Sequence, residues 1–255
     1  SIPGDLSGDG VADLVVGTQH SPTEAPGRLA VLLGPLGPDD RIADPDAWLD
    51  VPLTVELLMF VTPGPLSDGN RTLLLGAPYE AGGVVRLLEG PWSGLRSVDE
   101  ATVTWTAIEG EAGRSALSGA DLDGDGLEDI AIGVPGLEQV ALFFAPHTSG
   151  AVEDADQWVT AEARGGALGT RLALPGDVDG DGLTEVLVAE TTFAGDRGRV
   201  LLFCGAERTV CASWEGLVDN DQLGHALTGV GDTEGDGHAD LVIAAHGISK
   251  MGLWY

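Results

Sequence analysis

Asp121-Leu-Asp-Gly-Asp-Gly-Leu-Glu-Asp129, running without a break into Ile130-Ala-Ile-Gly133, is the stretch that decides how the chain folds. A nine-residue acidic turn that feeds a short apolar strand recurs three more times. Asp5-Leu-Ser-Gly-Asp-Gly-Val-Ala-Asp13 enters Leu14-Val-Val-Gly17, and Asp177-Val-Asp-Gly-Asp-Gly-Leu-Thr-Glu185 enters Val186-Leu-Val-Ala189. Asp232-Thr-Glu-Gly-Asp-Gly-His-Ala-Asp240 enters Leu241-Val-Ile-Ala244. Starts at residues 5, 121, 177 and 232 give intervals of 116, 56 and 55, and 116 is twice 58. A further copy belongs near residue 64, and Gly64-Pro-Leu-Ser-Asp-Gly-Asn-Arg-Thr72 before Leu73-Leu-Leu-Gly-Ala-Pro78 supplies it in degraded form. Residues 1–255 therefore read as one domain of five units of about 55 residues, with loops at 5–13, 64–72, 121–129, 177–185 and 232–240.

Each unit reads as four short strands. In the unit around residue 121 they are expected over 114–120, 130–133, 139–145 and 157–163, with Gly and Pro between them and no sustained helical period. The fourth strand carries Trp158. Trp48, Trp105 and Trp214 take the corresponding places elsewhere, each expected to pack between neighbouring units. Four antiparallel strands repeated radially make an all-β fold, a β-propeller of four-stranded blades, whose closure removes strand edges that a flat sandwich would expose. Strand counting predicts a five-bladed ring whose last blade has its third strand at 251–255 and no outer strand. A fragment of a longer propeller is the alternative.

The chain has 41 acidic and 12 basic residues in 255, a formal charge of −29. Phosphate binding needs Lys and Arg, so nucleic acid is excluded as a partner, as is an anionic membrane surface. The hydrophobic fraction is 43%, enough for a sizeable core and too much for a disordered acidic chain. No apolar run approaches the roughly 18 residues of a membrane span, so no membrane insertion is expected. Ser1-Ile2-Pro3-Gly4 shows no basic-then-apolar leader, so any signal peptide is expected either to have been removed or never to have been part of this sequence.

Within each acidic loop, oxygens at positions 1, 3, 5 and 9 and the carbonyl at position 7 would surround a hard cation. Calcium accepts six to eight such ligands in irregular geometry, whereas magnesium holds to an octahedron and its own waters. The predicted ligand sets are Asp5, Ser7, Asp9, Val11 and Asp13; Asp121, Asp123, Asp125, Leu127 and Asp129; Asp177, Asp179, Asp181, Leu183 and Glu185; and Asp232, Glu234, Asp236, His238 and Asp240. Glycines at positions 4 and 6 permit the tight backbone path. An EF-hand would need Glu at position 12, which is instead Val16, Ile132, Val188 or Ile243 inside a strand. The competing reading is that Asp-Gly merely makes good turns. A turn, however, gains nothing from several carboxylates within a few ångström, a costly arrangement without a cation. About four Ca²⁺ ions are expected, the weakest at 5–13 because of Ser7, and none at 64–72, where Gly64, Leu66 and Thr72 replace the acids.

The pattern Leu-Gly-x-x-Leu…Asp-x-Asp-Gly-Asp-Gly-x-x-Asp before an apolar strand and Gly-Ala-Pro resembles the FG-GAP repeat of integrin α-subunit propellers and related bacterial proteins. The Lys-poor, Ala- and Gly-rich style looks bacterial. The family's Phe-Gly survives as Ala112-Gly113, Leu168-Gly169 and Leu223-Gly224, and its Gly-Ala-Pro is intact only at 76–78. The resemblance implies a propeller with Ca²⁺ in the loops joining the first two strands of a blade, and a role in adhesion or ligand binding. Family members usually have seven blades, against the five counted here.

Cys204 and Cys211, the two cysteines, face each other across a hairpin where a disulfide could form. Calcium loops suggest an extracellular, oxidising setting, which favours the disulfide over two buried thiols. Five scattered histidines show no metal spacing, and no nucleophile elbow is present, so no catalytic residue is assigned. The expected function is a secreted or cell-surface calcium-binding module for protein interaction or adhesion. A calcium-dependent lectin is the alternative, and a hydrolase scaffold ranks below both. A protein or glycan ligand would use the face opposite the calcium loops, formed by turns such as 19–27, 78–82, 135–138 and 191–197.

Overall fold

The computed structural model describes residues 5–17, 27–37, 42–51, 58–59, 72–162 and 165–247. All of loop 64–72 except Thr72, Trp254 and the strand expected at 251–255 lie outside the described residues.

The described chain is built of five successive β-sheets and very little helix. The first holds β1 (Leu14–Gly17), β2 (Gly27–Leu32) and β3 (Ala47–Val51). The second holds β4 (Leu58–Met59), β5 (Thr72–Ala77) and β6 (Val84–Glu89). Here the chain crosses back as β7 (Gly94–Ser97), parallel to β3, before returning as β8 (Val103–Thr106). The third holds β9 (Ala116–Ala120), β10 (Asp129–Val134) and β11 (Gln139–Phe143). The same excursion follows: β12 (Gly150–Ala151) pairs parallel to β8, and β13 (Gln157–Thr160) completes the blade. The fourth is β14 (Arg171–Ala173), β15 (Val186–Glu190), β16 (Arg199–Cys204) and β17 (Thr209–Glu215), and the fifth is β18 (Leu223–Gly231) with β19 (Asp240–Ala245). Strand order within blades follows the sequence reading. The parallel strand lent to the preceding blade does not. It covers that blade's outer edge, where unpaired N–H and C=O groups would otherwise invite aggregation.

The second strand of each blade explains its own sequence. In β5, β10 and β15 every residue is buried, because both faces of the strand meet a neighbouring blade. Alternation in polarity is lost and a continuous apolar run remains. Alternation survives in the packing: Leu73 and Leu75 join the core against the first sheet, and Leu74 joins the core against the third. Four such cores lie between consecutive sheets. Among the described residues none joins the fifth sheet to the first, so the closed ring is not seen there.

Glycine sets the spacing of the blades. A Cβ on Gly76 would collide with the carbonyl oxygen of Gly113, and one on Gly133 with that of Gly169. These are the Gly-Ala-Pro glycine of one repeat and the opening glycine of the next, packed backbone to backbone. Where the first decays to Ala189, its methyl faces Gly224, on which a Cβ would come within 2.6 Å of it. One methyl fits between blades, and two do not. Gly133→Ala should therefore destabilise by about 2–3 kcal/mol through overpacking against backbone, whereas Gly126→Ala, which faces open space at φ +86°, should add only backbone strain. Denaturant midpoints of the two variants measure the difference.

The four outer-strand tryptophans are not equivalent, contrary to expectation. Trp105 is 1% exposed and packs with Phe143 at 5.3 Å in the core towards the third sheet. Trp158 pairs with Ala141 and leans back on that same core, half-buried. Trp214 pairs with Val200 and leans forward on the next core, because the register shifts at Leu202/Phe203. A one-residue bulge exchanges the two faces of a strand. Trp48 is half-buried beneath the Arg28 guanidinium, 5.7 Å from the ring centroid.

Candidate metal sites in the acidic loops

Loops 121–129, 177–185 and 232–240 join the first and second strands of their blades, loop 5–13 leads into β1, and all four share one backbone path. Gly8 and Gly10, Gly124 and Gly126, Gly180 and Gly182, and Gly235 and Gly237 all have φ between +80° and +95°, a region only glycine enters freely. The path lets the position 1 carboxylate collect two N–H groups on separate oxygens. Gly124 and Gly126 donate to Asp121 at 2.7 and 2.8 Å, and Gly235 and Gly237 to Asp232 at 2.6 and 2.8 Å. Asp5 and Asp177 are held the same way. Position 5 accepts from position 7, as Leu127 to Asp125 and Leu183 to Asp181, both at 2.8 Å, with Val11 to Asp9 and His238 to Asp236 matching.

Position 9 closes the loop onto the strand. Asp13, Asp129 and Glu185 are buried and accept the N–H of position 2, from Leu6, Leu122 and Val178. The remaining oxygen of Asp13 takes Gly34 N–H at 2.6 Å, and that of Asp129 takes Ala145 N–H at 3.0 Å. Glu185 is longer by one methylene, and its Oε1 is buried with no hydrogen-bond partner. Asp240 is less enclosed and is held by both the backbone and hydroxyl of Thr233.

The loops differ in how far their acids converge. Asp177, Asp179, Asp181 and Glu185 bring carboxylate oxygens within 4.8 Å of one another, as do Asp121, Asp123 and Asp129. The acids of loops 5–13 and 232–240 form no such group among the described residues. In loop 5–13 the Ser7 hydroxyl is turned to Asp5 at 3.3 Å. Burial pushes the Glu185 carboxyl up, helped by the charges of Asp179, Asp181 and Asp177, against the pull of Val178 N–H. Burial likewise raises Asp129, with Asp123 adding to it.

A raised carboxyl costs stability as pH climbs from its ordinary value through its folded value, and the cost is complete above both. Glu185→Gln should therefore raise the melting temperature of metal-free protein at neutral pH. The difference should vanish below about pH 3, where the native carboxyl is protonated in both states. In calcium the same variant should be less stable than the native chain, and this reversal of sign is the readout.

The sequence reading missed Arg208, at the tip of the β16–β17 hairpin and 5% exposed. Its guanidinium donates to the carbonyl of Thr184 in one loop at 2.7 Å and to that of Leu122 in the neighbouring loop. Glu185, Asp181 and Asp129 all favour its charge against the burial that disfavours it. A lone Arg in a hairpin tip carries no signal in the sequence; only the fold places it between two acidic loops. Adjacent loops also touch directly, with Leu183 against Gly124 and His238 against Gly180. Arg208→Met should destabilise the fold by about 1–3 kcal/mol per orphaned carbonyl, and by more in chelator than in calcium if an ion there offsets the carboxylates. Cys204 and Cys211 form a disulfide, Cα atoms 5.8 Å apart, across that hairpin.

The sequence model of the FG-GAP repeat matches residues 112–143, which span the third blade from the glycine contact through its acidic loop to β11. Curated relatives include integrin alpha-PS2 of Drosophila melanogaster, 28% identical over 212 residues, covering 72% of this chain and 15% of the relative. Integrin alpha-D of Homo sapiens is 33% identical over 199 residues, covering 71% and 17%. Integrin alpha-4 of Xenopus laevis is 28% identical over 144 residues, covering 51% and 14%. The chain thus spans about a sixth of the length of these relatives. Stacked antiparallel blades, glycine contacts between repeats and acidic loops at one end agree with these matches, and the chain belongs to the FG-GAP repeat, integrin α-like family of β-propellers.

Proposed function

We propose that the chain is a calcium-binding propeller module for protein interaction and adhesion, acting outside the cell or at its surface, in which the ions are structural and catalysis has no part. The reading rests chiefly on the acid cluster of loop 177–185: four carboxylates converge, and a buried oxygen of one, Glu185, has no donor. A hard dication supplies what that oxygen lacks and cancels the mutual repulsion of the four. The ligands would be Asp177, Asp179, Asp181, the Leu183 carbonyl and Glu185, with the corresponding residues of loop 121–129 forming a second strong site. Loops 5–13 and 232–240, less converged, would be weaker. Eight of the 29 excess negative charges would be offset by four ions. Bound calcium fixes the hairpins at one end and leaves the turns at the other for a partner. Integrins are the curated relatives, which favours a protein ligand over a glycan.

The test is adhesion to arrayed extracellular proteins and to a glycan array by the chain in about 1 mM Ca²⁺ and in chelator. Saturable, calcium-dependent binding to a protein spot is expected. Binding confined to glycans, or unaffected by chelator, overturns the reading.

A further inference from the structure

We propose that the end of the blades opposite the acidic loops carries a carboxylate-binding strip, built on Arg114 and Arg171, that docks an acidic segment of a protein partner; this rests on the interaction-module reading above. The repeat places a basic residue just after the glycine that packs on the preceding blade. The three instances are Gly113-Arg114, Gly169-Thr170-Arg171 and Gly224-His225. In each case the position is the end of the first strand remote from the acidic loop, since Arg171 pairs with Ala189 and Leu223 with Ala245. The buried Ser115 hydroxyl donates to Gly169 O at 2.8 Å, which holds the backbones of Arg114 and Arg171 side by side across two blades.

The other arginines at this end are neutralised among the described residues. Arg86 makes two bonds to Glu80 at 2.8 and 2.7 Å, Arg197 meets Asp219 at 2.7 Å, Arg28 meets Asp50 at 2.7 Å, and Arg199 is paired with Glu190. Arg114 and Arg171 depart from this pattern. Arg114 lies over the Tyr79 ring, 5.6 Å from its centroid, and bonds the Tyr79 hydroxyl; Glu111 stays 3.9 Å off and half-exposed. Arg171, half-buried, donates to its neighbour's carbonyl, Thr170 O, at 3.2 Å, and no carboxylate pairs with it among the described residues. Burial and the Arg114 charge both push its guanidinium down. Arg171 in turn disfavours charge on His225, whose ring stacks on His246 at 4.5 Å.

A chain with 41 acidic residues has left two guanidiniums on neighbouring blades without a firm carboxylate. Like charges held together are costly unless an anion arrives. The guanidinium fork takes a carboxylate through two parallel charge-assisted bonds, and Tyr79, 51% exposed, adds an aromatic edge beside it. A polyanion such as a sulfated glycan suits the strip less well, because the net charge of −29 repels it at long range. One or two carboxylates on an otherwise neutral segment fit both facts.

The experiment is fluorescence anisotropy of a labelled Gly/Ser peptide with a central Asp-Glu pair, titrated with calcium-loaded protein at about 50 mM salt. Its Asn-Gln counterpart and a heparin oligosaccharide run alongside. Saturable binding of the acidic peptide alone is expected. Arg171→Gln should weaken it about tenfold, the loss of one bidentate contact, Arg114→Gln similarly, and salt-bridged Arg197→Gln not at all. Arg171→Lys, which keeps the charge and loses the fork, should fall between native and Gln, and serves if the Gln variant melts early. Failure of the acidic peptide to bind, equal binding by the double Gln variant, or binding of heparin alone overturns the proposal. If calcium-dependent adhesion persists in that event, only the chemistry of the partner is wrong; if adhesion itself is absent, the module reading falls as well.

Discussion

Chelation is expected to lower the melting temperature of the calcium-loaded protein by roughly 10–20 °C. An ion at about a hundred times its dissociation constant stabilises by about 2.7 kcal/mol. Two strong sites, at 121–129 and 177–185, give about 5 kcal/mol, and each kcal/mol moves the midpoint of a chain this long by about 2–4 °C. The sign follows from the empty loop. Its carboxylates repel one another, Glu185 and Asp129 sit buried with raised carboxyls, and Arg208 is the cation placed between them among the described residues. Asp125→Ala should remove the bond that turns Leu127 into its loop together with one ion, taking about half the shift. Asp68→Ala, in the degraded repeat, should take none of it. Thermal melts with and without chelator measure all three, and an unmoved native curve would reject a structural role for the ion.

Trp105→Ala is the substitution expected to cost most, about 3–5 kcal/mol, as a large ring leaves a sealed site between two blades. The ring touches Phe143 and meets His147 edge-on at 5.8 Å, with Val85 as its cross-strand partner, so little can collapse into the void. Trp48→Ala should cost far less, about 1 kcal/mol, since a half-buried ring stacked on Arg28 loses little area and one cation–π contact. Urea unfolding compares the two directly. Equal losses would mean that the tryptophans are equivalent anchors after all.

Strands and loops were legible in the sequence because each is governed by local chemistry repeated in register. Gly-Asp-Gly cannot sit in a strand, and Ile130-Ala-Ile cannot sit at a surface, so the order loop then buried strand is fixed wherever the pair occurs. Strand bounds of 139–145 and 157–163 came out as Gln139–Phe143 and Gln157–Thr160, frayed at ends where pairing and not composition decides. What remained hidden depends on residues far apart in sequence. The tryptophans share a place in the repeat, yet the register shift at Leu202/Phe203 turns Trp214 to the opposite face from Trp158. Nothing in Gly94-Leu-Arg-Ser97 announces a strand that leaves its own blade to pair with β3. Arg208 spans 86 residues to reach Leu122. The candidate sites divide the same way. Ligand types could be read from four loops, but which acids converge is decided by contacts within each: in loop 5–13 the Ser7 hydroxyl turns to Asp5. Thr233 holds Asp240 with its hydroxyl, where Leu122 and Val178 offer only an N–H.

Calorimetric titration of chelator-stripped protein with Ca²⁺ bears most directly on the acidic loops as cation sites. Two tight sites are expected, with weaker binding following at 5–13 and 232–240, and Asp181→Ala should abolish one of the two. A flat titration, or heat that survives Asp125→Ala and Asp181→Ala together, would contradict the assignment of these loops to calcium.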